Sequence, residues 1–120
     1  MVVLEKPVTI NSPAPKNLKT EKNFMYAVAF DLDTELLKQT YGDPANNAYG
    51  EIKRFLLDKG FTWQQGSVYF GTDRINAVTC VLAVTEMSRA FPWFAASVRD
   101  IRMLRIDEYN DLMPALQLGS

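Results

Sequence analysis

The stretch AVAFDLDT, Ala27–Thr34, decides how this chain folds. Phe24–Phe30 is a short and mostly apolar run, which is typical of a central buried strand. This strand delivers Asp31 and Asp33 to its carboxyl end, and we expect the strand to end between them. Asp33 is a suitable N-cap for a short helix at Thr34–Gln39. The stretch therefore predicts a buried strand that ends in two carboxylates and leads directly into a helix.

A second informative stretch is GFTWQQGSVYF, Gly60–Phe70. Phe61–Gln64 and Ser67–Gly71 are rich in aromatic and β-branched residues, which indicates two strands. Gln65 and Gly66 separate them. This dipeptide forms either a tight turn or a bulge that bends one long strand, and the sequence leaves both open.

A helix is predicted between these two stretches. Asp43 followed by Pro44 is a start signal, because a capping residue precedes a proline at the first helical position. Side chains then recur at helical spacing, at Ile52, Phe55, Leu56 and Lys59. Gly60 is the expected C-terminal glycine of this helix.

The second half of the chain adds another helix and a strand. Asn76–Ala90 lacks Gly and Pro and is too long for one typical strand, so we predict a helix with a buried face. Pro92 ends it, Trp93–Ser97 is a further turn or short helix, and Arg99–Asp107 is a final strand. The order β-α-β-β-α-β predicts an α+β, ferredoxin-like sandwich with a four-stranded antiparallel sheet.

The 120 residues suffice for one domain with a core. We predict an N-terminal extension or linker, the folded domain and a C-terminal tail, at residues 1–23, 24–113 and 114–120. Val2–Leu4 or Val8–Ile10 could add a strand to the sheet, and Leu112–Met113 is a candidate hydrophobic anchor for the tail.

Composition excludes several kinds of chemistry. The chain has no histidine, which rules out Ser-His-Asp and Cys-His catalysis and any zinc site that needs imidazole. A catalytic base must be a carboxylate, a lysine, a tyrosine or metal-bound water. The net charge of −1 predicts no binding of nucleic acid by bulk electrostatics, so any contact with nucleic acid needs a local basic patch.

Few features of the sequence indicate the cellular location of the protein. Cys80 is the only cysteine, so no disulfide forms within one chain, which fits a reducing cytoplasm. No apolar stretch is long enough for a membrane span, and the N-terminus lacks the apolar region of a signal peptide. We therefore expect a cytoplasmic protein with no membrane partner.

The strand-end carboxylates are the first candidates for a functional site. Carboxylates at such a position bind metals or act as bases, which favours Asp31. The alternative is that Asp33 only caps the next helix and Asp31 accepts hydrogen bonds from backbone donors. Gln64, Gln65 and Ser67 could support the site by contacting a phosphate or a base edge. Alternatively, these polar residues only satisfy the backbone where Gly66 bends the sheet.

The last strand carries candidates for contact with nucleic-acid phosphates at Arg99, Arg102 and Arg105. Regular alternation places Arg99 and Arg105 on one face of the strand and Arg102 on the other. They could bind phosphates, or form ion pairs with the neighbouring acidic residues Asp100, Asp107 and Glu108. Four aromatic residues could stack on bases, although their spacing is typical of core or interface positions: Trp63, Tyr69, Trp93 and Phe94.

The motif AFDLDT also resembles the first motif of haloacid-dehalogenase-type phosphatases, in which the first Asp is a nucleophile and the second a general acid. That family needs a larger, doubly wound sheet with a later lysine and a distal acidic pair. Fewer than a hundred residues follow Asp31, with too few βα units to build such a sheet.

A broader resemblance covers Met25 to about Met113. The segments that carry it are MYAVAFDLDT, NNAYGEIKRFL, GFTWQQGSVYF, INAVTCVLAV, FPWFAASVRDIRMLRI and NDLMP. In these segments the chain resembles the virulence-associated protein D (VapD) family. The resemblance implies a ferredoxin-like homodimer related to the small nuclease subunits of CRISPR adaptation. It implies RNA cleavage with Asp31 as the catalytic residue, and in some members a toxin held by a small antitoxin protein.

We therefore expect an endoribonuclease of the VapD type. The alternative is a catalytically silent ferredoxin-like module for binding or assembly. We expect a homodimer through a sheet edge or face, since the strand Arg99–Ile106 invites pairing across a two-fold axis. Asp31 of each subunit should then lie near a shared groove. Asp31 could hold Mg²⁺, or it could deprotonate the ribose 2′-hydroxyl, and we favour the metal.

Overall fold

A four-stranded sheet with helices packed on one face organises the chain, which the computed structural model describes over residues 24–117. Along the chain the elements are β1 (Met25–Leu32), α1 (Thr34–Thr40), α2 (Asn46–Lys59), β2 (Phe61–Gln65), β3 (Val68–Gly71), α3 (Ala77–Ala90), α4 (Pro92–Ser97), β4 (Val98–Ile106) and a 3₁₀ helix (Met113–Gln117). The predicted extra strands at Val2–Leu4 and Val8–Ile10 lie outside the described residues.

The sheet has the order β2-β3-β1-β4, and every neighbouring pair is antiparallel. This confirms the predicted α+β class with a four-stranded antiparallel sheet, and it is consistent with a ferredoxin-like fold. An antiparallel sheet of this size is not the doubly wound sheet of the haloacid-dehalogenase-type phosphatases. That interpretation of AFDLDT is therefore wrong.

Apolar side chains of the central strands form the core with the helices. Val28 and Phe30 of β1 face the helices, and Phe30 stacks on Tyr69 of β3 at 6.2 Å between ring centroids. Ile52 and Leu56 of α2 are fully buried against them. Burying each such side chain stabilises the fold by about 1.5–3 kcal/mol, which fixes the helices on this face.

Helix ends follow the sequence signals with one exception. The Asp33 side chain caps α1, Asn76 and Thr79 cap α3 reciprocally, and Gly60 ends α2 in the left-handed conformation at φ 111°. The start predicted at Asp43-Pro44 is wrong, because α2 begins at Asn46. Pro44 accepts a hydrogen bond from the amide three residues ahead, at 3.1 Å, so this segment is still a turn.

Gly66 and Ser67 form a tight turn between β2 and β3, one residue later than the predicted Gln65-Gly66, because Gln65 is the last residue of β2. Gly66 has a φ of 48°, and the Trp63 indole donates a hydrogen bond to its carbonyl at 2.9 Å. A register irregularity between Trp63 and Gln65 adds a bulge directly before the turn. The hairpin is therefore closed by Gly66 and twisted by its neighbours.

The C-terminal segment is attached differently from the prediction. Leu112 and Met113 do not anchor it, since they are 72% and 59% exposed. Instead, the Tyr109 ring packs edge-on against Phe70 of β3, with 5.2 Å between centroids. Phe70 pairs with Ala27 across the sheet, on the face opposite the core, so the segment crosses the face that the helices leave open. We call this side of the sheet the open face.

A second apolar surface lies on helix α3. Val78, Val81 and Leu82 are each more than half exposed. They project away from the core, because the buried residues of the same helix are Cys80, Ala83 and Met87. We call these three residues the α3 strip.

Two glycine substitutions test the packing. Gly71→Ala should lower the free energy of unfolding by about 1–3 kcal/mol, because the new Cβ would lie 2.6 Å from the Ile75 Cβ. Gly50→Ala in α2 should raise it by about 0.5–1 kcal/mol, since its Cβ meets only an Arg54 nitrogen at 3.6 Å. Urea unfolding measures both, and equal effects would contradict this packing.

Candidate active site

Asp31 is the penultimate residue of β1 and lies on the open face. Its side chain is 63% exposed. The strand ends directly after it, because the amide of Asp33 donates to the carbonyl of Ser97 at 2.8 Å and leads the chain into α1. The prediction that Asp31 and Asp33 lie on either side of the strand end is confirmed.

The pairing of β1 with β4 contains one irregularity, and it lies at Asp31. Asp31 is opposite Asp100, but Leu32 is opposite Val98, so Arg99 is an extra residue in β4. Such a β-bulge redirects the side chain of the extra residue. In a regular ladder Arg99 would be opposite Leu32, which is 4% exposed and belongs to the core. The bulge therefore keeps a guanidinium out of the core.

Four charged side chains meet around this bulge. The Nε atom of Arg99 lies 3.4 Å from Oδ2 of Asp31, and both side chains are largely exposed. Arg102 donates from Nε to both carboxylate oxygens of Asp100, at 3.0 and 3.1 Å. Two acids and two bases thus form a neutral cluster at the end of β1. We call it the charge cluster.

The faces predicted for the three arginines are wrong. Arg102 is opposite Ala29, so it shares the open face with Asp31, and the bulge brings Arg99 to the same side. Arg105 is opposite Tyr26 and lies on the other face, near the start of β1. A strict two-residue alternation fails here because one residue of β4 has no partner.

Arg105 makes contacts of its own away from Asp31. It pairs with Asp107 at 3.5 Å, and its guanidinium lies 4.4 Å from the centre of the Phe24 ring. The ion-pair interpretation is thus confirmed for Arg102 with Asp100 and for Arg105 with Asp107. The pair of Arg99 with Asp31 was not predicted, since only the register of the sheet brings them together.

The hairpin turn is the other neighbour of the strand end. The amide of Phe30 donates to the carbonyl of Ser67 at 3.2 Å, which places the turn beside β1. Gln64 and Gln65 are exposed and Ser67 is half-buried. Among residues 24–117, no side-chain hydrogen bond joins Gln65 or Ser67 to Asp31.

Asp33 has a structural contact that explains its position. Its Oδ1 atom accepts a hydrogen bond from the amide of Leu36 at 2.9 Å. This is the N-cap contact expected from the sequence, and it satisfies one of the free amides at the start of α1. Among residues 24–117, no backbone amide donates to the Asp31 carboxylate in this way, so it is the more available of the two.

Most of the aromatic candidates are core residues. Tyr69 and Phe94 are buried, and Trp93 packs against Tyr41 and Phe91. Trp63 is 45% exposed, with the Lys53 ammonium 4.3 Å from its ring centre. It is the member of the predicted set with a free ring surface.

Several alternative bases and nucleophiles are disfavoured by their surroundings. A hydrogen bond to Glu51 is the main cause that raises the pKa of the Tyr41 phenol. Burial raises the pKa of the Tyr69 phenol and of the Cys80 thiol. All three groups stay protonated at neutral pH, which leaves a carboxylate as the better base.

The carboxylates also define what metal the site could take. Within residues 24–117, no group of three or more His, Cys, Asp or Glu side chains is close enough to enclose an ion. Asp31 and Asp100 are nevertheless opposite each other on β1 and β4. Magnesium often uses one or two carboxylates and completes its shell with water and substrate phosphate, so this pair could hold such an ion once Arg99 and Arg102 have moved away from the two carboxylates. Asp100 was expected only as an ion-pair partner.

Taken together, these features define a small α+β domain with an exposed acid–arginine cluster at a strand end, which suits a polyanionic ligand. Within the described part of the chain, no helix is long and apolar enough to cross a membrane. No protein-family model matches the chain.

Comparison with known proteins identifies the family. Endoribonuclease VapD 2 of Riemerella anatipestifer is 53% identical over 93 residues, which are 77% of this chain and 99% of the relative. A VapD homolog of Helicobacter pylori is 51% identical over 78% of this chain and 98% of its own length. Endoribonuclease VapD of Dichelobacter nodosus is 46% identical over 72% of this chain and 91% of its own length. The chain belongs to the VapD family, as the sequence resemblance predicted.

Proposed function

We propose that this chain is an endoribonuclease that cleaves RNA with Asp31 as its catalytic carboxylate. One observation carries the proposal: Asp31 is an exposed carboxylate at a strand end, beside an arginine that only the bulge brings there. The relatives named endoribonuclease match this chain over most of their length, including the segment that contains Asp31. The substrate class is therefore single- or double-stranded RNA rather than a small metabolite.

The residues of the charge cluster can each have a different role in phosphodiester cleavage. Asp31 accepts a proton, either from the ribose 2′-hydroxyl or from a water molecule. Arg99 and Arg102 supply positive charge for the phosphate oxygens, on which negative charge develops during cleavage. Gln65 and Ser67 offer amide and hydroxyl groups for neighbouring parts of the RNA. Arg105, near the other end of β4, is not part of this site.

We further propose that Mg²⁺ takes part. Asp31 would hold the ion, with Asp100 as a second carboxylate. When bound, the ion supplies positive charge and lowers the pKa of a water ligand. The competing route, in which Asp31 deprotonates the 2′-hydroxyl and a cyclic phosphate forms, needs no metal. The chain has no histidine to perform that proton transfer, which favours the metal.

We propose a homodimer that closes the open face. Leu104 of β4 is exposed there, and Leu112, Met113 and Leu116 extend the apolar surface beyond it. A recess of about 590 Å³ separates this C-terminal segment from Val68 and Phe70 of the hairpin. Apolar surface of this kind is typical of an interface. Since Asp31 shares the face, a two-fold axis would bring both Asp31 side chains to the rim of one groove.

The biological setting is also a proposal. We infer a toxin component of a toxin–antitoxin system, restrained by a small antitoxin protein, because the VapD resemblance implies it. A cytoplasmic location follows from an RNA substrate, and the buried, unpaired thiol of Cys80 is compatible with it.

Asp31→Asn should lower the rate of RNA cleavage by about 10²–10⁴-fold, since the amide cannot accept a proton or hold a cation as a carboxylate does. Two matched substitutions serve as controls. Asp33→Asn removes a charge but keeps a side-chain oxygen that can cap α1, and Asp107→Asn removes an exposed carboxylate that pairs with Arg105 at 3.5 Å. Both should retain most of the activity. Full activity of purified Asp31→Asn protein would favour the catalytically silent binding module instead.

The double variant Leu112→Asp/Leu116→Asp should be monomeric at micromolar concentration, because two charges would enter the apolar interface. Multi-angle light scattering compares it with the wild-type dimer. The control, Val81→Asp/Leu82→Asp, changes the α3 strip and should remain dimeric. The opposite pattern would place the interface on the α3 side of the edge strand β4, and a monomeric wild type would end the dimer proposal.

Excess chelator should abolish cleavage, and Mg²⁺ should restore it, because the proposed route needs the ion at Asp31. Calcium, which prefers a larger shell of ligands, should restore it less well. Cleavage that continues undiminished in chelator and leaves 2′,3′-cyclic phosphate ends would support the metal-free route. End-group analysis of the products distinguishes the two.

A further inference from the structure

The bulge in β4 has a specific effect on Arg99. In a regular ladder Arg99 would be opposite Leu32 and would face the helices, where Leu32 is buried. The bulge gives this position to Val98, which packs against the core. The same bulge also places the Arg99 guanidinium beside the exposed carboxylate of Asp31, at 3.4 Å.

The contact that holds Arg99 is loose. Its Nε atom lies 3.4 Å from Asp31, the geometry is not that of a hydrogen bond, and the two side chains are 60% and 63% exposed. Exposed ion pairs of this type contribute little to stability. Arg102 differs, because its Nε donates to both oxygens of Asp100 at 3.0 and 3.1 Å. Arg99 is therefore the more available guanidinium of the charge cluster.

We propose that Arg99 is the phosphate-binding residue of the site and that Asp31 holds it in the free protein until RNA takes it over. When RNA binds, the guanidinium moves from the Asp31 carboxylate to a non-bridging oxygen of the scissile phosphate. In this step no covalent bond forms or breaks, and no proton moves. The inference rests on the proposed RNA cleavage and names the residue that positions the substrate.

The exchange has two consequences for Asp31. While Arg99 pairs with it, the carboxylate charge is partly neutralised and the guanidinium lies beside its Oδ2 atom. Once the phosphate has taken the guanidinium, the carboxylate is free to act on the RNA. An arginine suits this exchange because its N–H donors fit a carboxylate and a phosphate equally well, in the same planar geometry. Arg99 thus links substrate binding to the availability of the base.

Steady-state kinetics on an RNA oligonucleotide provide the first test. Arg99→Ala should lower kcat by about 100-fold, since it removes a charged donor from the developing negative charge. Arg99→Lys should recover part of this loss. Arg105→Ala is the matched control, because Arg105 lies on the same strand, is 53% exposed and pairs with an aspartate at 3.5 Å. It should change kcat by less than about threefold, as exposed pairs contribute little.

A binding cycle provides a test that does not depend on cleavage. The probe is a 2′-O-methyl RNA oligonucleotide, with affinity measured by fluorescence anisotropy in chelator, and circular dichroism verifies folding. In the wild type, RNA must first displace Asp31 from Arg99, whereas in Asp31→Asn the guanidinium is free. Arg99→Ala should therefore weaken binding several-fold more in the Asp31→Asn background than in the wild type.

Each result has one meaning. Equal losses in the two backgrounds would overturn the exchange, and wild-type kcat in Arg99→Ala would overturn the role of Arg99, while RNA cleavage by the wild type would still stand. A wild type that neither binds nor cleaves RNA would remove the proposed function together with this inference. If Arg99→Ala weakens RNA binding more in the Asp31→Asn background than in the wild type, and Arg105→Ala leaves kcat nearly unchanged, both the exchange and the role of Arg99 are supported.

Discussion

The pairing of β1 with β4 is the interaction on which the rest of this structure depends. It is the longest ladder of the sheet, running from Met25 opposite Ile106 to Leu32 opposite Val98. It places β1 at the centre, where one face carries the core and the other carries Asp31. The same ladder accommodates one extra residue, and that residue is an arginine. Core packing and the charge cluster are therefore both set by a single register.

Much of this fold follows from local patterns in the sequence. The apolar run before Asp31 predicts β1, and the absence of Gly and Pro from Asn76–Ala90 predicts α3, because both signals reside in short segments. The start of α2 was missed by a few residues, since Asp43-Pro44 has the composition of a helix start but forms the preceding turn. Composition identifies the residue types of a boundary, and hydrogen bonds decide its position.

The candidate site was predictable only in part. Asp31 stands out because it ends an apolar strand. Its neighbours Arg99 and Asp100 do not, since they are about 70 residues away in the chain and become neighbours only through the sheet register. Regular alternation places Arg99 on the wrong face of β4, because no local signal in the sequence shows which residue of β4 has no partner on β1. The tail shows the same limit, as Tyr109 rather than Leu112 makes the contact with the domain.

The α3 strip affects how many binding sites an assembly of this protein would offer to a partner. A second copy that closes the open face leaves Val78, Val81 and Leu82 uncovered, since they lie on the helical side of the sheet. A closed pair then presents this strip twice, once on each subunit. Any protein that recognises the strip would meet a divalent target, and a partner with two such sites would gain avidity or cross-link pairs, depending on the spacing between its sites. In the proposed homodimer, the symmetry of the open-face interface would thus set the stoichiometry of any complex on the helical side.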